Sequence, residues 1–586
     1  MVEGEYSKKD EINRRVFFLI IIKFFSFLCL ILRIFWLQFI EYKKYDLLSK
    51  KNRIRVISIN PIRGIIRDCN NNIVASNKYH FRILFDKKII KNWKSTIDKL
   101  FNILQTNIET QRLINQKISD YKGNKPISIF DNITWKELSL IEENSYELEG
   151  VYIDKDIIRE YRFVPYISHL IGYIGLKKNI NSTENQNLKE GIKGVEKAFN
   201  VDLRGKFGYK EIEVNAHGKL IKNLKTIESE KGSDITLSID ATLQERIVKI
   251  LPPNNSIIIL SDIKSGKIKS LISKPSFDNK IFTTNISKTE WNKLVNGQDS
   301  PLLNRAIQGR YSPGSVFKIV TILAALEAGI SENFSYYCTG RSYLGDHFRC
   351  WNKSGHGMLD MESAIARSCN HYIYCLAEKI GHQAIIKMAK RLRLDQLSGI
   401  EDLGGEVKSF FPTIEWKKEK YNKKWNFADT LNFCLGQGSI QLTPIILNQL
   451  ISTIANDGNI ILASICKHSI PVIISTGIKK DYFTFLKKAL FDVVNKPWGT
   501  AYKNRISDLN AQMSGKTGTV QVISKSNKHE DLNNADYNKR NHSVFLGYYP
   551  ASEPKYSITV FVEHGGAGGN LAAEIAKNSF LITQSL

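Results

Sequence analysis

Tyr311-Ser312-Pro313-Gly314-Ser315-Val316-Phe317-Lys318 runs directly into IVTILAALEAGI, an apolar stretch that closes on a glycine. Pro-Gly makes a turn, so the pattern predicts a helix starting at Ser315 and stopping near Gly329. Lys318 then lies one turn on from Ser315, on the same face. A serine hydroxyl is nearly inert at neutral pH and needs an adjacent base; a lysine whose ammonium is destabilised by burial supplies a free amine. By itself the S-x-x-K spacing decides little, because it arises by chance in many proteins. Two further stretches supply its context.

Ser368-Cys369-Asn370 lies within MESAIARSCNHYIYCLAEKI, residues 361–380, which reads as one helical run. A second hydroxyl beside a Ser/Lys pair relays a proton to a leaving group, and the Asn amide can hold both the lysine and a substrate amide carbonyl. In isolation these are an ordinary Ser and Asn in a helix. The third stretch, SGKTGTVQVI from Ser514, reads as a β-strand opening on small residues. Gly515 and Gly518 are expected to let a substrate backbone approach the strand edge. Lys516 with the hydroxyls of Thr517 and Thr519 makes a rim suited to a carboxylate, and a backbone N–H of the strand can join an oxyanion hole. A phosphate loop is excluded, since the G-x-x-x-x-G-K-S/T spacing is absent.

In this order, S-x-x-K, S-x-N and K-T-G resemble the penicillin-recognising serine acyl transferases, the superfamily of penicillin-binding proteins and active-site serine β-lactamases. The surroundings are similar too. Residues 256–260 and 267–273 read as strands leading into Pro275-Ser276-Phe277-Asp278, then Leu302-Leu303-Asn304-Arg305. Gly436-Gln437-Gly438 with Leu442-Thr443-Pro444, and Gly499-Thr500-Ala501, also match the transpeptidase pattern. In the N-terminal half, PIRGIIRD at 61–68, Gly194-Val195-Glu196, Leu203-Arg204-Gly205 and Gly208 onward to Glu213-Val214-Asn215-Ala216 resemble the non-catalytic pedestal of the class B members. RCWNKSGHG at 349–357 and VEHGGAG at 562–568 resemble the elongation-type branch of that class. One departure is Val544, two past His542, where the family often has an aromatic.

The resemblance implies an α+β protein with a single N-terminal transmembrane helix, an elongated α+β pedestal, and a transpeptidase domain whose five-stranded antiparallel sheet is flanked by helices. It implies a D,D-transpeptidase that cross-links peptidoglycan stem peptides. Ser315 would attack the penultimate D-Ala carbonyl with Lys318 as base; Ser368 would protonate the leaving D-Ala, and Asn370 would orient the amide. Lys516, Thr517, Gly518 and Thr519 would hold the terminal carboxylate, with the amides of Ser315 and Thr519 as oxyanion hole. β-Lactams are the expected covalent ligands, and a RodA-like polytopic glycosyltransferase and an MreC-like scaffold the expected partners. A septal transpeptidase of the same class, a membrane β-lactam sensor and a β-lactamase are the rival readings.

Catalysis of this kind needs no cofactor, but a structural metal is another matter. Cys338, Cys350, His356 and Cys369 bring soft thiolates and one imidazole, a donor set that suits tetrahedral zinc. Some elongation-type members resemble this with Asp, Asp, His and Cys at matching places. A Cys338–Cys350 disulfide or unrelated thiols are the alternatives, with Asp346 and His347 as further candidate ligands.

Residues 16–40, VFFLIIIKFFSFLCLILRIFWLQFI, are long enough at about 1.5 Å per residue to cross a hydrocarbon core of about 30 Å. Lys23 and Arg33 lie near its two ends and can snorkel to the interfaces. No small-residue cleavage site follows, so an uncleaved anchor is expected. Basic residues flank it on both sides, so the positive-inside rule leaves the orientation open. Periplasmic chemistry would place the N-terminus in the cytoplasm and the bulk of the chain outside the inner membrane.

The 586 residues suggest two to four domains at roughly 150 each. They divide as a tail of 1–15, the span of 16–40, a pedestal of 41–228 and a catalytic domain of 229–586, with 520–541 a polar loop. The net charge of +25 comes with no nucleic-acid-binding motif, and with its lysines dispersed it reads as a solvated basic surface.

Overall fold

The computed structural model describes residues 3–45, 53–87, 90, 93–121, 126–176, 189–214, 220–253, 255–283, 286, 288–297, 299–345, 348–522, 540–566 and 569–585. Most of the expected 520–541 loop, and Asp346 and His347, lie outside them. The chain forms two compact units, Met1–Ile62 with Gly205–Lys231, and Arg63–Arg204 with Gly232–Leu586.

In the first unit a helix, Glu3–Phe35, passes into a π-helical turn, Trp36–Ile40. Its Val16–Ile40 portion is the one segment among the described residues long and apolar enough to cross a membrane, and none of it is buried in protein. A row of exposed Phe, Ile and Leu side chains is stable only where water is absent. Ser26 donates to the Ile22 carbonyl at 2.7 Å, so its hydroxyl is satisfied within the helix. The same unit holds a three-stranded antiparallel sheet, with Gly208–Val214 between Ile54–Ile59 and Leu220–Ile227.

The second unit begins with a five-stranded sheet built on Ile73–Phe85, which pairs with Val151–Tyr161 along one edge and with Ile127–Ile133 and Ile66–Arg67 along the other. Helices Trp93–Ile103, Ile108–Asp120 and Trp135–Glu143 bury Leu100, Ile118 and Ile141 in a small core with Ile83 and Phe85. In residues 234–240, DITLSID, only Ile235–Thr236 is regular strand, and it pairs in parallel with Ile66–Arg67. Asp240 ends it by capping the helix Ala241–Lys249, accepting from the Leu243 amide at 2.9 Å.

Two of the pedestal-like motifs meet at a buried ion triad. Glu196 accepts from Arg63 Nε at 2.6 Å and from Arg159 Nε at 2.7 Å, and its side chain is fully buried. Removing the shared carboxylate leaves two guanidiniums uncompensated. Glu196→Ala is therefore expected to cost about 3–5 kcal/mol, read as a lower Tm or denaturant midpoint; an unchanged midpoint would contradict the triad.

The larger part of this unit is organised by an antiparallel sheet in the order Ile268–Lys274, Ser256–Asp262, Tyr556–Val562, His542–Tyr549, Ser514–Val520. The fold class is thus as expected. These strands are near-continuous apolar or small-residue runs because both faces are covered: Ser256–Asp262 is buried at every position but its last. Pro444–Ala455 and Asn570–Gln584 pack on the central strands, and Lys480–Asn495 packs on Ser514–Val520. Ser514–Val520 is an edge strand, so one of its sides has no neighbour in the sheet.

Candidate active site

The first motif is more sharply bent than a plain helix start. Gly314–Phe317 is a 3-10 turn that feeds the helix Lys318–Glu327. Gly314 has φ +59°, and a Cβ there would lie 2.6 Å from the Thr519 carbonyl oxygen, so only glycine fits. Its amide donates to the Gly436 carbonyl at 2.9 Å, and Tyr311 exchanges backbone hydrogen bonds with Leu442. The stretches at 436–438 and 442–444 therefore brace the nucleophile turn from behind. From Pro313 to Leu326 every residue is buried except Ser315, which is half-buried.

The helical run expected over 361–380 is interrupted. Met361–Ala366 and Asn370–Arg391 are separate helices, and between them Ser368 takes φ +52°. This break turns the Ser368 hydroxyl inward instead of along a helix surface. A left-handed serine is strained, and strain of this kind clusters at functional sites.

Two lysines converge on that hydroxyl. Lys318 Nζ donates to the Ser368 carbonyl at 2.7 Å, to Asn370 Oδ1 at 2.7 Å and to Ser368 Oγ at 3.2 Å. Lys516 Nζ donates to Ser368 Oγ at 3.0 Å and to the Thr517 carbonyl at 3.0 Å. Both ammonium groups are buried, and among the described residues no carboxylate pairs with either. Desolvation lowers Lys318 to about 8, partly opposed by the nearby sulfurs of Cys369, Cys350 and Cys434. Lys516 is held well below its ordinary value by burial and by Lys318.

Asn370 meets the expectation that its amide holds the lysine. Its oxygen holds Lys318, while its Nδ2 donates to the Arg349 carbonyl at 3.2 Å. The glycines of the third motif are also required by packing. A Cβ at Gly515 would lie 2.3 Å from the Phe545 ring, and one at Gly518 would lie 3.0 Å from Val316. Val544 faces Gly518 across the ladder and is fully buried, so this pair brings two small groups together where the family often has an aromatic. Thr517 is buried and its hydroxyl contacts that of Thr500 at 2.6 Å. The match of Gly499-Thr500-Ala501 to the transpeptidase pattern flags Thr500 but not this contact, which joins stretches that only the sheet and the Lys480–Asn495 helix bring together.

Cys338, Cys350, His356 and Cys369 gather beside this site, with one donor atom from each lying within 4.8 Å of the others. His356 Nδ1 is 3.6 Å from Cys338 Sγ and 3.4 Å from Cys350 Sγ; Cys350 and Cys369 sulfurs are 3.9 Å apart. A zinc tetrahedron with Zn–S of about 2.3 Å and Zn–N of about 2.0 Å has edges of about 3.8 Å and 3.5 Å, so the donors fit. Contact with Cys369 and with His356 holds the Cys350 thiol below its ordinary value, while Cys369 is pushed up by the same contact and by burial. All eight cysteines are free, so the Cys338–Cys350 disulfide weighed from the sequence is not formed.

Residues 256–581 match the penicillin-binding protein transpeptidase domain, and residues 58–237 the penicillin-binding protein dimerisation domain. The chain is a class B penicillin-binding protein. The peptidoglycan D,D-transpeptidase MrdA of Acinetobacter baumannii is 30% identical to it, over 97% of this chain and 87% of that protein. The Helicobacter pylori penicillin-binding protein PBP2, solved in complex with MreC, has a TM-score of 0.80 and 26% identity, covering 91% of this chain and 99% of that one. A chain from a peptidoglycan synthase complex that coordinates polymerization and crosslinking has a TM-score of 0.71 over 98% of both chains; at 24% identity this is a likeness of fold. In this penicillin-binding protein the three motifs thus stand together around one buried hydroxyl, and the Cys/His cluster lies directly behind the second of them.

Proposed function

We propose that Ser315 is the acylated nucleophile of a peptidoglycan D,D-transpeptidase working in cell elongation, and that the two lysines divide the proton and carboxylate work between them. The observation that carries this assignment is the Ser368 hydroxyl held between Lys318 and Lys516. Lys318, neutral above about 8, takes the Ser315 proton as the oxygen attacks the penultimate D-Ala carbonyl. The amides of Ser315 and Thr519 receive the oxyanion. Ser368 passes the proton to the departing D-Ala nitrogen, the C–N bond breaks, and Ser315 is left as an ester. An amine from a neighbouring stem peptide then displaces Ser315, which recovers its proton by the reverse path. Lys516, Thr517 and Thr519 hold the terminal carboxylate of the donor; a buried ammonium without a counter-ion is a site made for one.

The pH dependence tests the base. Below about 8 the free-amine fraction of Lys318 falls tenfold per pH unit, so acylation by labelled penicillin should rise from pH 6 and level off above 8. A rate constant that is flat from pH 6 to 9 would contradict the assignment.

Cys338, Cys350, His356 and Cys369 are read as a structural zinc site. Zinc held there would be structural: the four donors would tether the segment from Cys338 to His356 to the break that carries Ser368 and Asn370. The substrate's location supports a periplasmic catalytic domain with the N-terminus in the cytoplasm and a single pass through the inner membrane. An MreC-like scaffold and a RodA-like glycosyltransferase are the proposed partners, the first supported by the neighbour solved in complex with MreC.

A further inference from the structure

Thr517 has one hydroxyl proton, and the carboxylate reading needs that proton to point into the cleft. An isolated threonine hydroxyl rotates freely and is as ready to donate to a backbone carbonyl as to a ligand. Here it is not isolated. Thr500 Oγ1 lies 2.6 Å from Thr517 Oγ1, a full-strength O–H···O contact in a half-buried setting. If Thr500 donates, Thr517 accepts on a lone pair and its own proton is left for the substrate.

The loop that presents Thr500 is fixed on both sides. Ala501 donates its amide to the Val493 carbonyl at 2.9 Å, and Gly499 donates to Lys496 at 2.9 Å, so the loop is clamped to the end of the Lys480–Asn495 helix. A Cβ at Gly499 would lie 2.3 Å from the Val493 carbonyl oxygen, so the turn before Thr500 has no room to relax. The Thr500 amide itself donates to the Ala366 carbonyl at 3.2 Å, two residues before Ser368. Thr500 thus touches the K-T-G strand through its side chain and the approach to S-x-N through its backbone.

We propose that Thr500 is a positioning residue for carboxylate recognition: its hydroxyl donates to Thr517, orients the Thr517 proton toward the substrate's terminal carboxylate, and so makes the site selective for a free acid over a neutral analogue. This rests on the reading of Thr517 as a carboxylate ligand. In the bound state the chain runs Thr500 O–H to Thr517 O–H to carboxylate, and each link polarises the next. The negative end makes the terminal bond charge-assisted, the stronger kind. Breaking the first link weakens the last without removing any group that touches the ligand.

The test uses the full-length chain in detergent, with Thr500→Val to delete the hydroxyl at nearly constant volume and Thr500→Ser to keep it. Acylation is followed with a labelled penicillin carrying its free carboxylate and with the same compound as its methyl ester. For Thr500→Val the expected result is about a tenfold loss in the second-order acylation constant for the acid. The loss should lie in the half-saturating concentration, with the maximal acylation rate within twofold of wild type. The ester should react equally with wild type and Thr500→Val, and Thr500→Ser should restore the acid's rate. Thr517→Val should be no further impaired by adding Thr500→Val, since both remove the same interaction. Equal losses for acid and ester, or a loss confined to the maximal rate, would overturn the proposal in favour of a merely structural role. Acid acylation within twofold of wild type for Thr500→Val would overturn it outright. If Thr517→Val slows acid and ester equally, or slows neither, the carboxylate reading of Thr517 on which the proposal stands is refuted instead.

Discussion

Labelled penicillin attaches covalently to the wild-type chain and leaves Ser315→Ala unlabelled. This is the largest effect expected, because the substitution removes the atom that forms the bond and no neighbouring hydroxyl can stand in. Ser368 Oγ already accepts from both lysines and lies at the break between two helices, within the wall of the site. Ser315→Ala should fold normally: the side chain is half-exposed and loses one oxygen, so Tm should stay within about 2 °C of wild type. Equal labelling of both proteins, or labelling of Ser315→Ala at a second residue found by peptide mapping, would refute the assignment of the nucleophile.

Metal analysis of the purified chain, with no chelator used, finds about one equivalent of zinc. Cys350→Ser and Cys369→Ser lose it, each because a tetrahedral site with three donors left binds far more weakly. The consequence reaches the catalytic residues through short paths. Cys369 lies between Ser368 and Asn370, and Arg349, whose carbonyl holds the Asn370 amide, precedes Cys350. Loss of the metal should therefore lower Tm by at least about 5 °C and slow acylation together. Less than about a tenth of an equivalent of zinc in the wild-type chain would sink the site, whatever the variants do.

Much of this was readable before the fold. The motifs at 315–318, 368–370 and 516–519 each have a chemistry that their residue types explain, and the apolar span of 16–40 follows from length and composition. The strands at Ser256–Asp262 and Ile268–Lys274 are found within a few residues of where apolar runs placed them. The errors share a cause. Residues 361–380 have a helical pattern throughout, yet the chain breaks at Ser368, where local propensity yields to the two lysines and the Cys/His cluster. Nor does the sequence show that Gly515 and Gly518 make room for Phe545 and Val316, neighbours supplied by other strands and turns.

By itself the sequence pointed to the reaction class and the nucleophile candidate through the family resemblance that three motifs in one order carry, and to the membrane span through length and composition. Tertiary structure alone decided that Ser368 sits between two buried lysines, that Glu196 is shared by Arg63 and Arg159, and that Thr500 reaches Thr517. These groups are far apart along the chain. Only the sheet, the helices and the break at Ser368 bring them within hydrogen-bond distance, and burial there turns ordinary lysines and hydroxyls into a site with shifted charge.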